Sequence, residues 1–210
     1  MAAKPLDRHR GVRYHPPVTH RLTIKVRKHI GQISGGSRLL AELAVDAISL
    51  RQLNSDVQEP CLYHSTQEFI LRHGWLFSPQ PFPAKYRKWK GEHHDCLYNA
   101  LELSVSCREL AYVEGFAMPA KGITETPVAH SWCVDADGKV VDPTWDRPGR
   151  EYCGLSLDKR LLYKLHQKGE PFGLMFNDEL FWEVTTGKRD WRELLATGSV
   201  GFRPERELPS

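Results

Sequence analysis

No stretch of this 210-residue chain approaches the roughly 18 uninterrupted apolar residues of a membrane-spanning helix, so no membrane partner is expected. The opening residues, MAAKPLDRHRGVRYHPP, carry basic groups but no apolar h-region. A secretory signal is therefore not read there, and a cytoplasmic protein is expected. Cysteine is sparse and odd in number: Cys61, Cys96, Cys107, Cys133 and Cys153, with no Cys-x-x-Cys pair. Irregular spacing without an export signal argues against a disulfide framework and for reduced thiols, at least one of them free to do chemistry. Strong charge of either sign is also missing. A net charge of +3 is too small to argue by itself for a nucleic-acid partner. Internal repeats are absent, which removes solenoid and propeller architectures from consideration.

What is present suits one packed domain of ordinary size with extensions. Hydrophobic residues make up 40% and charged residues 26%, the balance of a globular chain. Six Trp need a core in which to bury their rings. Positive charge gathers at one end, where Lys4, Arg8, Arg10, Arg13, Arg21, Lys25, Arg27 and Lys28 face only Asp7. With Pro16-Pro17 and GQISGGS this reads as a flexible basic arm over residues 1–36. A solvated tail is the favoured reading of that arm, ahead of a nucleic-acid contact.

Residues 37–90 read as helices and a Pro-rich loop. SRLLAELAVDAISLRQL places Leu39, Leu40, Leu43, Ala44, Ala47 and Leu50 at helical spacing, which predicts an amphipathic helix over 38–53. STQEFILRHGW predicts a second helix, with Ser65 and Glu68 as a capping box and Gly74 as its stop. FSPQPFPAKYRKWKGEHH breaks the periodicity and reads as a loop.

The pattern changes over 91–200, and 201–210 reads as a frayed tail. DCLYNALELSVSC predicts a helix with Asp95 at its N-cap and Leu97, Ala100, Leu101 and Val105 inward. AYVEGFAM alternates as a strand, and VAHSWCVD and KVVDPTW form two more around an Asp-Gly turn. SLDKRLLYKLHQKG predicts a helix capped by Ser156 and stopped by Gly169. The residues around GLMFNDELFWEV are assigned to core packing and a lid-like C-terminal segment. A helix, a run of antiparallel strands and a further helix make an α+β domain.

The hairpin sets the central question. Side chains alternate along a strand, so His130, Trp132 and Val134 share one face, opposite Ala129, Ser131 and Cys133. A two- or four-residue loop would pair Asp142 with Ser131, away from His130. A three-residue loop, Ala136-Asp137-Gly138, pairs it with Trp132, diagonal to His130. Such loops favour a final residue in the left-handed region, for which Gly138 is suited. Diagonal neighbours lie roughly 7–8 Å apart at the backbone, within reach of a carboxylate–imidazole hydrogen bond. The turn chemistry thus favours Asp142 orienting His130.

An Asp that holds a His in one tautomer commonly serves a nucleophile. Cys96 opens a helix, where unpaired N–H groups favour negative charge. Cys107 falls late in that helix, Cys133 faces away from His130, and Cys61 and Cys153 lie in irregular stretches. Cys96 is therefore the expected nucleophile.

Taken together, DCLYNALEL, YVEGFAM, HSW and VVDPTW resemble the core of the transglutaminase-like superfamily, within the papain-like cysteine-enzyme fold. They are also similar to bacterial and phage proteins with YVEGY…HAW…VDPTW patterns, from which no substrate follows. The resemblance covers about residues 90–146. It implies a catalytic helix packed on an antiparallel sheet, with Cys96 as nucleophile, His130 as general base and Asp142 as its orienting partner. The family often has Gly-x-Cys-Trp at the nucleophile, whereas this chain has Asp95-Cys96-Leu97. Its polar oxyanion partner has no clear counterpart here. The backbone N–H of Cys96 would be one donor, and Trp89, His93, His94 and Asn99 are candidates for a second. Trp132 and Trp145 are candidates for the walls of the site.

Each residue alone has a plainer reading: Cys96 as a buried helix thiol, His130 as a satisfied strand histidine, Asp142 as a turn-capping carboxylate before Pro143. Their order and hairpin parity together favour a thiol hydrolase or acyltransferase, in the manner of a cysteine protease, amidase, deamidase or transglutaminase. It would act on a protein, peptide or other amide or ester and need no cofactor. Two alternatives stand beside it. One is a zinc site drawn from His93, His94, Cys96, His130 and Cys133. The other is a non-catalytic binding module of the same fold acting through its basic arm.

Overall fold

In a computed structural model the described residues are 28, 30–32, 34–53 and 61–197. The chain is α+β, as expected, and is built around one antiparallel five-stranded sheet. Its strands are β1 (Trp75–Phe77), β2 (Ala111–Met118), β3 (Val128–Val134), β4 (Val140–Val141) and β5 (Glu151–Leu157), in the order β1-β5-β2-β3-β4. Accompanying it among the described residues are the helices α1 (Arg38–Leu53), α2 (Thr66–His73), α3 (Cys96–Ser106), α4 (Lys159–Gln167) and α5 (Asp178–Thr185).

The two faces of the sheet do different work, and strand alternation decides which residue joins which. Tyr112, Phe116 and Met118 of β2, Cys133 of β3, and Cys153, Leu155 and Leu157 of β5 belong to the main core. Leu39, Leu40 and Leu43 of α1, Phe69 and Ile70 of α2, and Ala100, Leu101 and Leu103 of α3 complete it. On the other face Val113, Ala117, Trp132, Val134 and Tyr152 form a smaller cluster with Phe77 and Val140. By the same alternation His130 belongs to this second face, and Cys133 faces α3, where its thiol donates to Ala100 O at 3.2 Å.

Two glycines let the second face accept large rings. Gly115 of β2 lies opposite both His130 of β3 and Gly154 of β5. A Cβ on Gly154 would stand 2.4 Å from Glu114 O and 2.9 Å from Trp132 Cη2. The bare backbone there makes room for the fully buried Trp132 ring.

The hairpin closes as its turn chemistry requires. Gly138 has φ 73, its N–H donates to Asp135 O, and Asp135 N donates to Lys139 O. Cys133 pairs with Val141 and Val134 with Val140, a register that continues to Trp132 opposite Asp142. The β4 strand itself is only two residues long, shorter than KVVDPTW suggests, because Pro143 follows Asp142 and removes a donor from the ladder.

Several elements differ from the sequence reading. Ser156, read as a helix cap, lies inside β5. The cap of α4 is Asp158, whose side chain accepts from Arg160 N. Cys153, read as irregular, is buried in the same strand. The Pro-rich loop contains a 3-10 helix, Ala84–Trp89. Asp95 is the N-cap residue of α3, but its side chain makes no cap hydrogen bond. The stretch read as a flexible arm reaches into the fold at its end: Lys28, Ile30, Gly31, Gln32 and Ser34 are helical, and Ile30 is buried in the main core. An apolar side chain there has core to bury against, which Gly-rich composition concealed. The remainder of that arm and the tail at 201–210 lie outside the described residues.

Candidate active site

Asp142 is the fixed point. Its Oδ1 accepts from the backbone N–H of Thr144 at 2.9 Å and of Trp145 at 3.1 Å, the turn that Asx residues make with their own chain. Its Oδ2 is thereby aimed elsewhere and meets His130 Nε2 at 2.9 Å. The plain and the functional readings of Asp142 both hold, one on each oxygen. Asp142 and His130 are 4% and 2% exposed, so this bond is dry and correspondingly strong.

The electrostatics follow. Burial alone would push the Asp142 carboxyl up, but the His130 charge, its hydrogen bond and the two backbone N–H groups hold it below the usual carboxylate range. Burial would likewise lower His130. The Asp142 charge and hydrogen bond, joined by interactions with the Cys96 side chain, more than offset it, and His130 is pushed up to about 9. Nε2 faces a carboxylate, which can only accept, so Nε2 keeps its proton and Nδ1 is left for the thiol.

Cys96 is the first residue of α3 and is half-buried. The ladder to β4 stops at Cys133, so beside His130 that edge of β3 carries no strand among the described residues. There the start of α3 comes within interacting reach of the imidazole. The Asp95 side chain leaves the first-turn N–H groups uncapped. Groups of this kind are unsatisfied within a helix and can donate to an anion.

Two loops hold this arrangement together. The one before α3 and the one after Asp142 are stitched by Gly91 N to Pro143 O at 2.9 Å, and by Lys90 Nζ to Trp145 O. His93 Nε2 meets Asp146 Oδ2 at 3.3 Å. Asn99 Nδ2 donates to Glu92 O at 2.7 Å and to Thr144 Oγ1 at 3.1 Å. Both Asn99 amide hydrogens are thus committed to the loops. His94 is exposed with φ 74 at the turn, and Trp89 packs half-buried against the main core. Trp145 stacks on the His130 ring, centroids 4.1 Å apart and planes 13° from parallel. Trp132 lies next to it, 6.1 Å away. These rings shield the His130–Asp142 bond from water.

The other thiols sit apart from this cluster. Burial pushes Cys133 well above the ordinary thiol range and, with Glu109 nearby, raises Cys107 as well. Among the described residues no three His, Cys, Asp or Glu side chains stand together so as to hold a metal ion; His130 and Cys133 lie on opposite faces. No helix among them is long and apolar enough to cross a membrane.

One member of the cluster was not foreseen. Tyr152 of β5 donates from its hydroxyl to Asp142 Oδ2 at 3.0 Å. Its strand was not recognised in the sequence, so nothing placed it beside Asp142. The Asx turn at Asp142, by contrast, was legible in Asp-Pro-Thr.

The pair makes stability depend on pH in a stated direction. His130, raised from 6.5 to about 9, stabilises the fold fully below about pH 6.5. That contribution is lost as pH rises through about 9. Urea midpoints measured across this window should fall in the wild type and fall less in His130→Ala.

No protein-family model matches the chain, and neither curated proteins nor solved structures give a match. The functional reading therefore rests on the site.

Proposed function

We propose that this protein is a cysteine-dependent acyl-transfer enzyme with Cys96 as nucleophile, His130 as general base and acid, and Asp142 as the group that orients His130. The papain-like, transglutaminase-like core read from the sequence is part of this proposal. The observation that carries it is the buried 2.9 Å bond from His130 Nε2 to Asp142, with Cys96 as the imidazole's other polar partner.

The chemistry follows from the positions. The proton shared by Cys96 and His130 rests on His130 Nδ1 below about pH 9, and Cys96 Sγ attacks the carbonyl carbon of an amide or ester. A C–S bond forms as the carbonyl π pair moves onto oxygen, where the Cys96 N–H and its first-turn neighbours supply donors. Collapse of this intermediate expels the amine or alcohol, which takes the proton from His130. Water or an amine then attacks the thioester, His130 accepts its proton, and Cys96 leaves as thiolate. Asp142 remains ionised throughout and stabilises the imidazolium. With water the enzyme is a protease, amidase or deamidase; with an amine it is a transglutaminase.

Iodoacetamide tests the nucleophile without a known substrate. Labelling of each of the five cysteines is followed by mass spectrometry across pH. Cys96 should react first at mildly acidic pH, and His130→Ala should remove that advantage. Labelling of Cys96 no faster than Cys61 or Cys107, or unaffected by His130→Ala, would overturn the proposal.

A further inference from the structure

We infer that Tyr152 is a positioning residue of the same site, a fourth member that shares Oδ2 of Asp142 with His130 and sets how much of the carboxylate's charge His130 meets. This rests on the reading of Cys96, His130 and Asp142 given above.

Asp142 accepts four hydrogen bonds, two on each oxygen: Thr144 N and Trp145 N on Oδ1, His130 Nε2 and Tyr152 OH on Oδ2. A hydroxyl has one proton, and the direction of this one is settled by its neighbour. Gly149 N donates to the Tyr152 oxygen at 2.8 Å, so the Tyr152 proton goes to Asp142. The result is a directed chain from Gly149 N–H through Tyr152 to Oδ2, meeting the His130 N–H on the same oxygen.

The surroundings are shaped for that chain. Tyr152 is fully buried, and burial pushes its phenol far up, so it stays a neutral donor. Position 149 carries no side chain where a Cβ would stand 2.8 Å from Trp145 Cζ3 and 3.0 Å from Tyr152 Cζ. Glycine there lets the amide approach the hydroxyl and leaves the Trp145 ring free to stack on His130. The chain is thus tied to the ring that shields the imidazole.

A donor shared on Oδ2 draws carboxylate charge away from His130. Tyr152→Phe removes only that donor and keeps the ring. The His130 titration, followed by NMR on protein carrying isotope-labelled histidine, should then move up from about 9 by about one unit, the equivalent of one charge-assisted hydrogen bond. Incorporating 3-fluorotyrosine, whose hydroxyl is the stronger donor, should move it down and guards against a Tyr152→Phe variant that folds poorly. An unchanged His130 titration in both, with only stability altered, would overturn the inference and leave Tyr152 as packing. Iodoacetamide labelling of Cys96 on the same samples separates the two claims. Slow wild-type labelling with a responsive His130 overturns the enzyme reading and supports the chain; fast labelling with an unresponsive His130 does the reverse.

Discussion

Cys96→Ala should lose essentially all acyl transfer, about 10⁶-fold in kcat, the scale on which nucleophile deletions fall in triad hydrolases. The loss is this large because Cys96 is the thiol that meets the His130 imidazole. Cys133 points into the main core toward Ala100 O, and the Cys107 thiol, at the far end of α3, is raised by burial and by Glu109 nearby. The three side chains act as a unit, so His130→Ala should cost about as much, and the double variant no more than either alone. The fold should survive Cys96→Ala. Its side chain is half-buried at a helix start, Ala has high helix propensity, and the loops around it are held by Gly91, Lys90 and Asn99 instead. A panel of p-nitroanilides and p-nitrophenyl esters, with and without a primary amine, supplies the assay through chromophore release. Undiminished release by Cys96→Ala, with an unchanged urea midpoint, would assign the activity to another group.

How much of the fold was legible depended on whether an element has one buried face or two. The helix α1 spans Arg38–Leu53 as its apolar spacing predicts, because one face is buried and the other is not. Its neighbour α2 begins after Ser65, whose side chain accepts from Glu68 N. Glu68, however, accepts from His64 N, one residue before the cap, and pairs with Arg72 one turn on and with Arg51 of α1. The capping signal thus located the helix although the carboxylate serves other partners than the Ser65 N–H. The strand β5 was missed for the opposite reason. EYCGLSL is buried on both faces from Tyr152 to Leu157, and a strand covered twice has no polar alternation to reveal it. Ser156 then looked like a cap because a helix does follow, capped by Asp158 two residues later.

The site was legible where the signals were local. Gly138 fixed the loop length, the loop fixed the register, and the register placed Asp142 near His130 through sequence alone. The contacts that lock the pair are not local. Tyr152 comes from the unrecognised strand, and the stitching of residues 90–93 to 143–146 joins loops some 50 positions apart. Such pairings depend on how the sheet brings chain segments together, and no short window of residue types records them. Asn99 illustrates the limit. It was one of four candidates for a second oxyanion donor, and its amide donates to Glu92 O and Thr144 Oγ1.

Asp142→Asn should cost about 10⁴ in kcat while leaving the fold recognisable, the effect of a wrong histidine tautomer in a triad. An amide has one acceptor and one donor end where the carboxylate has two acceptors. If the oxygen of the new amide keeps the Thr144 and Trp145 N–H groups, its NH₂ faces His130 Nε2 and the Tyr152 hydroxyl. Nε2 must then accept, so the neutral ring carries its proton on Nδ1, toward Cys96, and can no longer take one from the thiol. If the amide flips, the NH₂ meets two backbone N–H donors and the turn loses both bonds, which the loop holding Trp145 cannot absorb. The first arrangement is the cheaper, so the variant should fold with an inverted tautomer. Burial, the largest influence on His130, then acts without the opposing charge, and its titration should drop from about 9 to below the ordinary histidine value. Imidazole ¹⁵N shifts distinguish the two neutral tautomers directly. A proton still on Nε2 in Asp142→Asn, or a loss of turnover of only a few-fold, would show that Asp142 anchors the turn and does not set the chemistry.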